Sequence, residues 1–196
     1  MNSKNLILIL IFGVILLFGG CACNGYNGMV KMDENVKNKW ANVQSDYQRR
    51  ADLIPNLVNT VKGAANFEQE TLTKLMEARA KATSVQIDPT NISPEKLAEF
   101  QQAQAGVSSA LGRLLAVVEN YPDLKANQNF RDLQAQLEGT ENRIKVSRND
   151  FNAAVQEYNG TVRTFPNNIF ANMFGFRVKN GFQADPGAER APEVKF

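Results

Sequence analysis

The stretch NFRDLQAQLEGTENRIKVSRNDFNAAVQEYNGTVRTF, residues 129 to 165, decides the fold. Along it Phe130, Leu133, Leu137, Thr140, Ile144, Ser147, Phe151, Ala154, Tyr158, Val162 and Phe165 follow one another in steps of three and four. That spacing puts all of them on one face of an α-helix, and no proline interrupts it. A seam kept for about ten turns predicts a long amphipathic helix that must bury this face against another element.

The same pattern spreads outward. Prolines at 55, 89, 94, 122, 166, 186 and 192 leave proline-free segments at 56–88, 95–121 and 123–165. A first seam runs through Met29, Met32, Val36, Trp40, Val43, Tyr47, Ile54, Val58, Val61, Ala65, Leu72, Leu75 and Arg79, with Arg50 and Glu68 on two of its rungs. A second runs through Leu97, Phe100, Gln104, Val107, Leu111, Leu114, Val118 and Tyr121. No segment alternates with period two as a strand would. Ser93-Pro94-Glu95 reads as a helix start, with a hydroxyl cap, a proline whose missing N–H costs nothing, and an acid at the positive end of the helix dipole. The polar stretch 83–93 and the Asn120-Tyr121-Pro122-Asp123 turn are the expected connections. The predicted fold is all-α: an elongated antiparallel bundle of three long helices, four if Pro55 splits the first. A short C-terminal helix near 169–176 and an extended or disordered tail over 177–196 complete it.

Composition narrows the function. The chain has 196 residues, 43% of them hydrophobic, so it can build a core. With 22 basic against 20 acidic residues it lacks the strongly basic footprint of a nucleic-acid binder. It has no histidine, which removes the commonest general base, zinc ligand and pH switch at once. Two cysteines, Cys21 and Cys23, stand too close together to brace a fold. No nucleophile with a base, metal constellation or phosphate loop is legible, so no catalytic residue, cofactor or metal ligand is assigned and the chain is read as a non-enzyme.

The N-terminus meets a membrane. LILILIFGVILLFGG, residues 6–20, carries no charge and follows a single Lys4. Two readings stay open for residues 1–23. In one, Leu6 to Phe18 is the apolar core of a signal peptide and Phe18-Gly19-Gly20-Cys21 a loose lipobox that makes Cys21 the lipidation site. In the other, Asn5 to Cys23 is an uncleaved anchor, its nineteen residues at the short end of what spans a bilayer. Either places the domain over 24–176 outside the cytoplasm, in the cell envelope.

Several charged residues invite a role. Arg49, Arg50 and Asp52, beside Ile54-Pro55, form either a patch that receives a partner's acidic group or a lipid phosphate, or an ion network inside the bundle with Asp123 or Glu141 opposite. Asp123, Lys125 and Asn127 suit a helix cap. Arg79, on the seam, is expected to snorkel. Trp40 and Tyr47 are expected in the core.

YNGMV (26–30), QRRADLIPNLVNTVKG (48–63), EARA (77–80), YPDLKAN (121–127), EGTENRI (138–144), Tyr158-Asn159, Phe165-Pro166 and the terminal APEVKF (191–196) together resemble the LemA family of bacterial membrane-anchored proteins. The resemblance covers about 26–176, and Cys21 is a departure, since many relatives carry a plain transmembrane helix. It implies a helical, extracytoplasmic domain without established enzymatic activity or cofactor. Relatives are often encoded near membrane proteases or TPM-type domain proteins, and one branch shapes magnetosome membranes. The function expected is therefore a membrane-anchored scaffold or adaptor that binds envelope proteins or copies of itself. The alternatives are a membrane-remodelling module acting on lipid through helix one and, more remotely, an enzyme.

Overall fold

In a computed structural model, which describes residues 3–63 and 68–183 and only some side chains before residue 22, the described chain holds six helices and no strand. They are α1 Ser3–Lys62, α2 Gln69–Ser84, α3 Pro94–Val118, α4 Pro122–Ala126, α5 Gln128–Arg163 and α6 Asn167–Phe174. The Phe165–Pro166 peptide is cis.

The caps that local chemistry demands are in place. The Ser93 hydroxyl accepts from the Lys96 amide at 3.2 Å with Pro94 next to it, and the Asn127 side chain accepts from the Phe130 amide at 3.3 Å. Gly175 closes α6 with φ of 80°, a left-handed conformation that a side chain would strain, and the Phe176 amide reaches back to the Ala171 carbonyl.

The first seam divides, but not where proline suggested. α1 is continuous through Pro55 and ends at Lys62, next to Gly63. Pro55 has no N–H to give the carbonyl of Ala51 four residues back. Arg79 on α2 supplies the missing donor: its Nε donates to the Ala51 carbonyl at 2.6 Å. The helix therefore survives its proline because another helix completes the broken hydrogen-bond ladder. This also corrects the expected role of Arg79, whose head turns to the backbone of α1.

α5 runs antiparallel to α1, as the Lys39–Asp150 ion pair at 2.8 Å and the Arg50–Glu141 pair at 2.5 Å show by their descending order. α2 and α3 pair beside the second half of α1. Apolar burial falls into two clusters. The first centres on Trp40, whose ring meets Phe100, Phe151 and Phe182 at 5.3 to 5.9 Å, with Tyr47, Ile144 and Tyr158 around it. The second gathers Ile54, Leu57 and Val61 of α1, Leu72 and Leu75 of α2, Val107 and Leu114 of α3, and Phe130 and Leu137 of α5. Each large buried side chain contributes about 1.5–3 kcal/mol to holding the helices together. Of the buried polar residues, Arg50 on α1 and Thr140 on α5 lie between the clusters in chain order, whereas Gln104 sits within the second cluster's stretch of α3 and Ser147 within the first cluster's stretch of α5.

The segment after α6 is tied to the bundle over its first residues. Residues 177–183 are extended and docked. Asn159 bonds both ways with the backbone of Lys179 at 2.8 Å, and Asn152 bonds both ways with Phe182, its Oδ1 accepting from the amide at 2.8 Å and its Nδ2 donating to the carbonyl at 3.2 Å. Two asparagines seven residues apart on α5 thus act as the neighbouring strand that this strap lacks, and Phe182 fills the core beside Trp40. The remainder of the tail, with Val194 and Phe196, lies outside the described residues.

Candidate functional site: a polar cavity around a buried arginine

Arg50 is the centre. Helical spacing puts it on the seam between Tyr47 and Ile54, and α3 and α5 close over it until 2% of it is exposed. A guanidinium in that position loses several kcal/mol of hydration unless its donors are used. They are: Nη1 donates to Glu141 Oε1 at 2.5 Å and Ser108 Oγ at 2.9 Å, and Nη2 donates to Gln104 Oε1 at 2.6 Å and to the Gln104 carbonyl at 3.2 Å. The charge also lies 5.1 Å from the Tyr47 ring centroid. Burial pushes the Tyr47 phenol above its ordinary value against the pull of Arg148 and Arg50, so it stays neutral at physiological pH.

The three residues singled out from sequence do not share a surface. Arg50 faces inward to Glu141, one of the two acids expected opposite it, whereas Arg49 and Asp52 are exposed and Asp52 accepts from Gln48 at 2.7 Å. What forms instead is a cavity of about 290 Å³ between α1, α2 and α3. Its polar lining is Gln44, Gln48, Gln86, Gln104, Tyr47, Thr83 and the two arginines, Arg50 and Arg79; Ile54, Ile87, Phe100 and Val107 supply an apolar wall. None of its lining residues is acidic. The cavity can thus receive a group that is anionic at one end and apolar at the other, offered amide and guanidinium donors. Arg79 belongs to it, and its part was hidden because seam position alone says nothing of the carbonyl it meets.

A second polar cluster ties the strap to α1. Asp33 is bridged by Lys37 and Lys179, each at 2.9 Å. Burial raises its carboxyl, but the two ammonium hydrogen bonds outweigh that and hold it below the ordinary value. Among the described residues no group of Cys, Asp and Glu is placed to hold a metal ion. The side chain of Cys21 lies outside the described residues, and Cys23 is exposed and free. No helix, among the described residues, is long and apolar enough to cross a membrane.

The fold and this site define an all-helical bundle built around a buried arginine layer, with a strapped C-terminal segment. The chain belongs to the LemA family, whose family profile matches residues 39–196. It is 29% identical over 181 residues to magnetosome protein MamQ 2 of Paramagnetospirillum magneticum, covering 84% of this chain and 66% of that protein. To magnetosome protein MamQ of Magnetospirillum gryphiswaldense it is 26% identical, with the same coverage. To Protein LemA of Metamycoplasma hominis it is 26% identical over 158 residues, covering 81% of this chain and 68% of that one. The chain thus spans just under two thirds of the length of its magnetosome relatives.

Proposed function

We propose that this protein is a membrane-tethered helical adaptor of the bacterial envelope, working by binding and without a reaction of its own. Its cavity takes an acidic group of a partner protein. The observation that carries this reading is the cavity itself: two arginines and four glutamines converge on one concave site with no carboxylate in its lining. Arg50 is neutralised by Glu141, while Arg79 lends only its Nε to the Ala51 carbonyl, so the fork of Arg79 is the donor offered to a partner. Arg49 and Asp52 stand exposed on the same helix and do not line the cavity. The tether is supported by α1, which runs unbroken from the apolar N-terminal stretch to Lys62 and fixes the cavity at a set height above the anchor, with Arg50 about 48 Å beyond Phe18 at 1.5 Å per residue.

The test is site-specific photocrosslinking in cells from Gln86, at the cavity wall. Discrete envelope-protein adducts are expected, lost on Arg79→Gln while the chain stays in the membrane fraction. Adducts indifferent to Arg79→Gln would overturn the assignment of the cavity, and recovery of the chain outside the membrane fraction would overturn the tether.

A further inference from the structure

We infer that α6 is a membrane-surface helix: with Phe165 and its flanking arginines it lies in the headgroup layer beside the anchor, so that the bundle has two points of contact with the bilayer. The inference rests on the tether proposed above.

α6 breaks the rule for a surface helix. Phe170 and Ala171 are buried against the bundle, yet the opposite side is not polar: Phe165 is 74% exposed, Met173 65% and Ile169 48%, with Phe174 and Val178 also exposed. Ile169 and Met173, four apart on α6, project on one side of that helix, Phe165 stands exposed just before its start, and water is a poor solvent for such apolar surface. Charge favours a lipid surface over an apolar protein partner. From Arg163 to Lys179 the chain has three cations and no acid, and Arg163 and Arg177, one on each side of α6, are both exposed. Near an anionic bilayer each such cation is attracted, while the apolar side chains between them enter the boundary of headgroups and acyl chains.

The place of α6 along α1 fits the same occupant. Asn167, at its start, lies 3.0 Å from where a Cβ on Gly25 would stand, and Phe174, at its end, meets the Tyr26 ring at 5.0 Å. Both ends of α6 touch the same turn of α1, so α6 crosses α1 instead of running along it, and with α1 upright it lies parallel to the membrane plane. That turn is only about 10–12 Å past Phe18, where the apolar run ends. The headgroup layer is about 5–8 Å deep and a helix is about 5 Å in radius, so the outer face of α6 falls at headgroup height. A Cβ at Gly25 would press on the Asn167 side chain, which would have to give by a few tenths of an ångström.

The experiment uses the full chain reconstituted in phosphatidylcholine vesicles containing phosphatidylglycerol. Fluorescence quenching by lipids brominated near the headgroup reads depth. The single native tryptophan, Trp40, is buried in the core and gives an unquenched baseline. Met173→Trp and, separately, Ile169→Trp should add a blue-shifted emission that loses most of its intensity in brominated vesicles, whereas Met76→Trp on α2 should not be quenched. A chain that floats with vesicles while the residue 173 and 169 tryptophans emit as in water overturns the α6 contact but leaves the tether standing. Blue-shifted, unquenched emission that grows with protein concentration overturns it in favour of a second copy on this face. A chain that fails to float overturns both.

Discussion

Replacing Arg79 by methionine tests why α1 survives its proline. The substitution keeps the stem and removes the donor that Pro55 cannot be, leaving the Ala51 carbonyl, on a residue 8% exposed, without a partner. A hydrogen bond from a charged donor contributes about 1.5–3 kcal/mol. The cavity beside Ala51 can admit water to the orphaned carbonyl, so the low end applies, about 1.5–2 kcal/mol. For a chain of this size that corresponds to a fall of about 3–8 °C in Tm. The discriminating measurement is a double-mutant cycle: thermal melts by far-UV circular dichroism of the full chain in mild detergent, for wild type, Arg79→Met, Pro55→Ala and the double variant. Alanine at 55 restores an amide donor to Ala51, so Arg79→Met should then cost under about 0.5 kcal/mol, a coupling of about 1 kcal/mol or more. Equal costs in the two backgrounds would refute the reasoning and make Arg79 an ordinary packing residue.

Glu141→Ala should destabilise more than Arg50→Met. It strands a guanidinium that is 2% exposed, about 3 kcal/mol, whereas Arg50→Met frees a glutamate whose side chain is 43% exposed and can rehydrate; denaturation midpoints in the reverse order would contradict this. Gly181→Val should undock the strap, because a Cβ there would stand 2.7 Å from Asn152 Oδ1, the atom that holds the Phe182 amide. Phe182 then leaves Trp40, and the Trp40 emission should shift red while far-UV dichroism stays nearly constant. Acidification should release the same strap. The carboxyl of Asp33 is depressed in the folded state, so its contribution is fully present above the unfolded value near 3.9 and is lost as pH falls through the lower folded value. Asp33→Asn should remove that acid step from a Trp40 emission titration, and its persistence would assign the step elsewhere.

Much of the architecture was legible in the chain. Periodicity showed that the chain is helical, because each seam is a local repeat that only a helix can align, but it ran α2 into α1 and did not set α4 apart from α5. The Ser93 and Asn127 starts were readable from capping chemistry, and the core places of Trp40 and Tyr47 from their rungs. The seam crossed residues 63–68 without signalling that α1 stops at Lys62, since apolar spacing continues in phase on both sides of the break. The strap went unread because its bonds come from Asn152 and Asn159, residues just off the seam that read as ordinary solvated polar positions.

The sequence by itself determined an all-helical chain of the LemA family, since helical spacing, caps and motif residues are properties of neighbours along the chain. Only the tertiary structure decided which charges matter. It turned Arg50 inward, left Arg49 and Asp52 outside, and brought Arg79 to a carbonyl made needy by Pro55, twenty-eight residues away from Arg79 at Ala51. The physical reason is that burial and hydrogen-bond completion depend on what packs opposite, which no local pattern records.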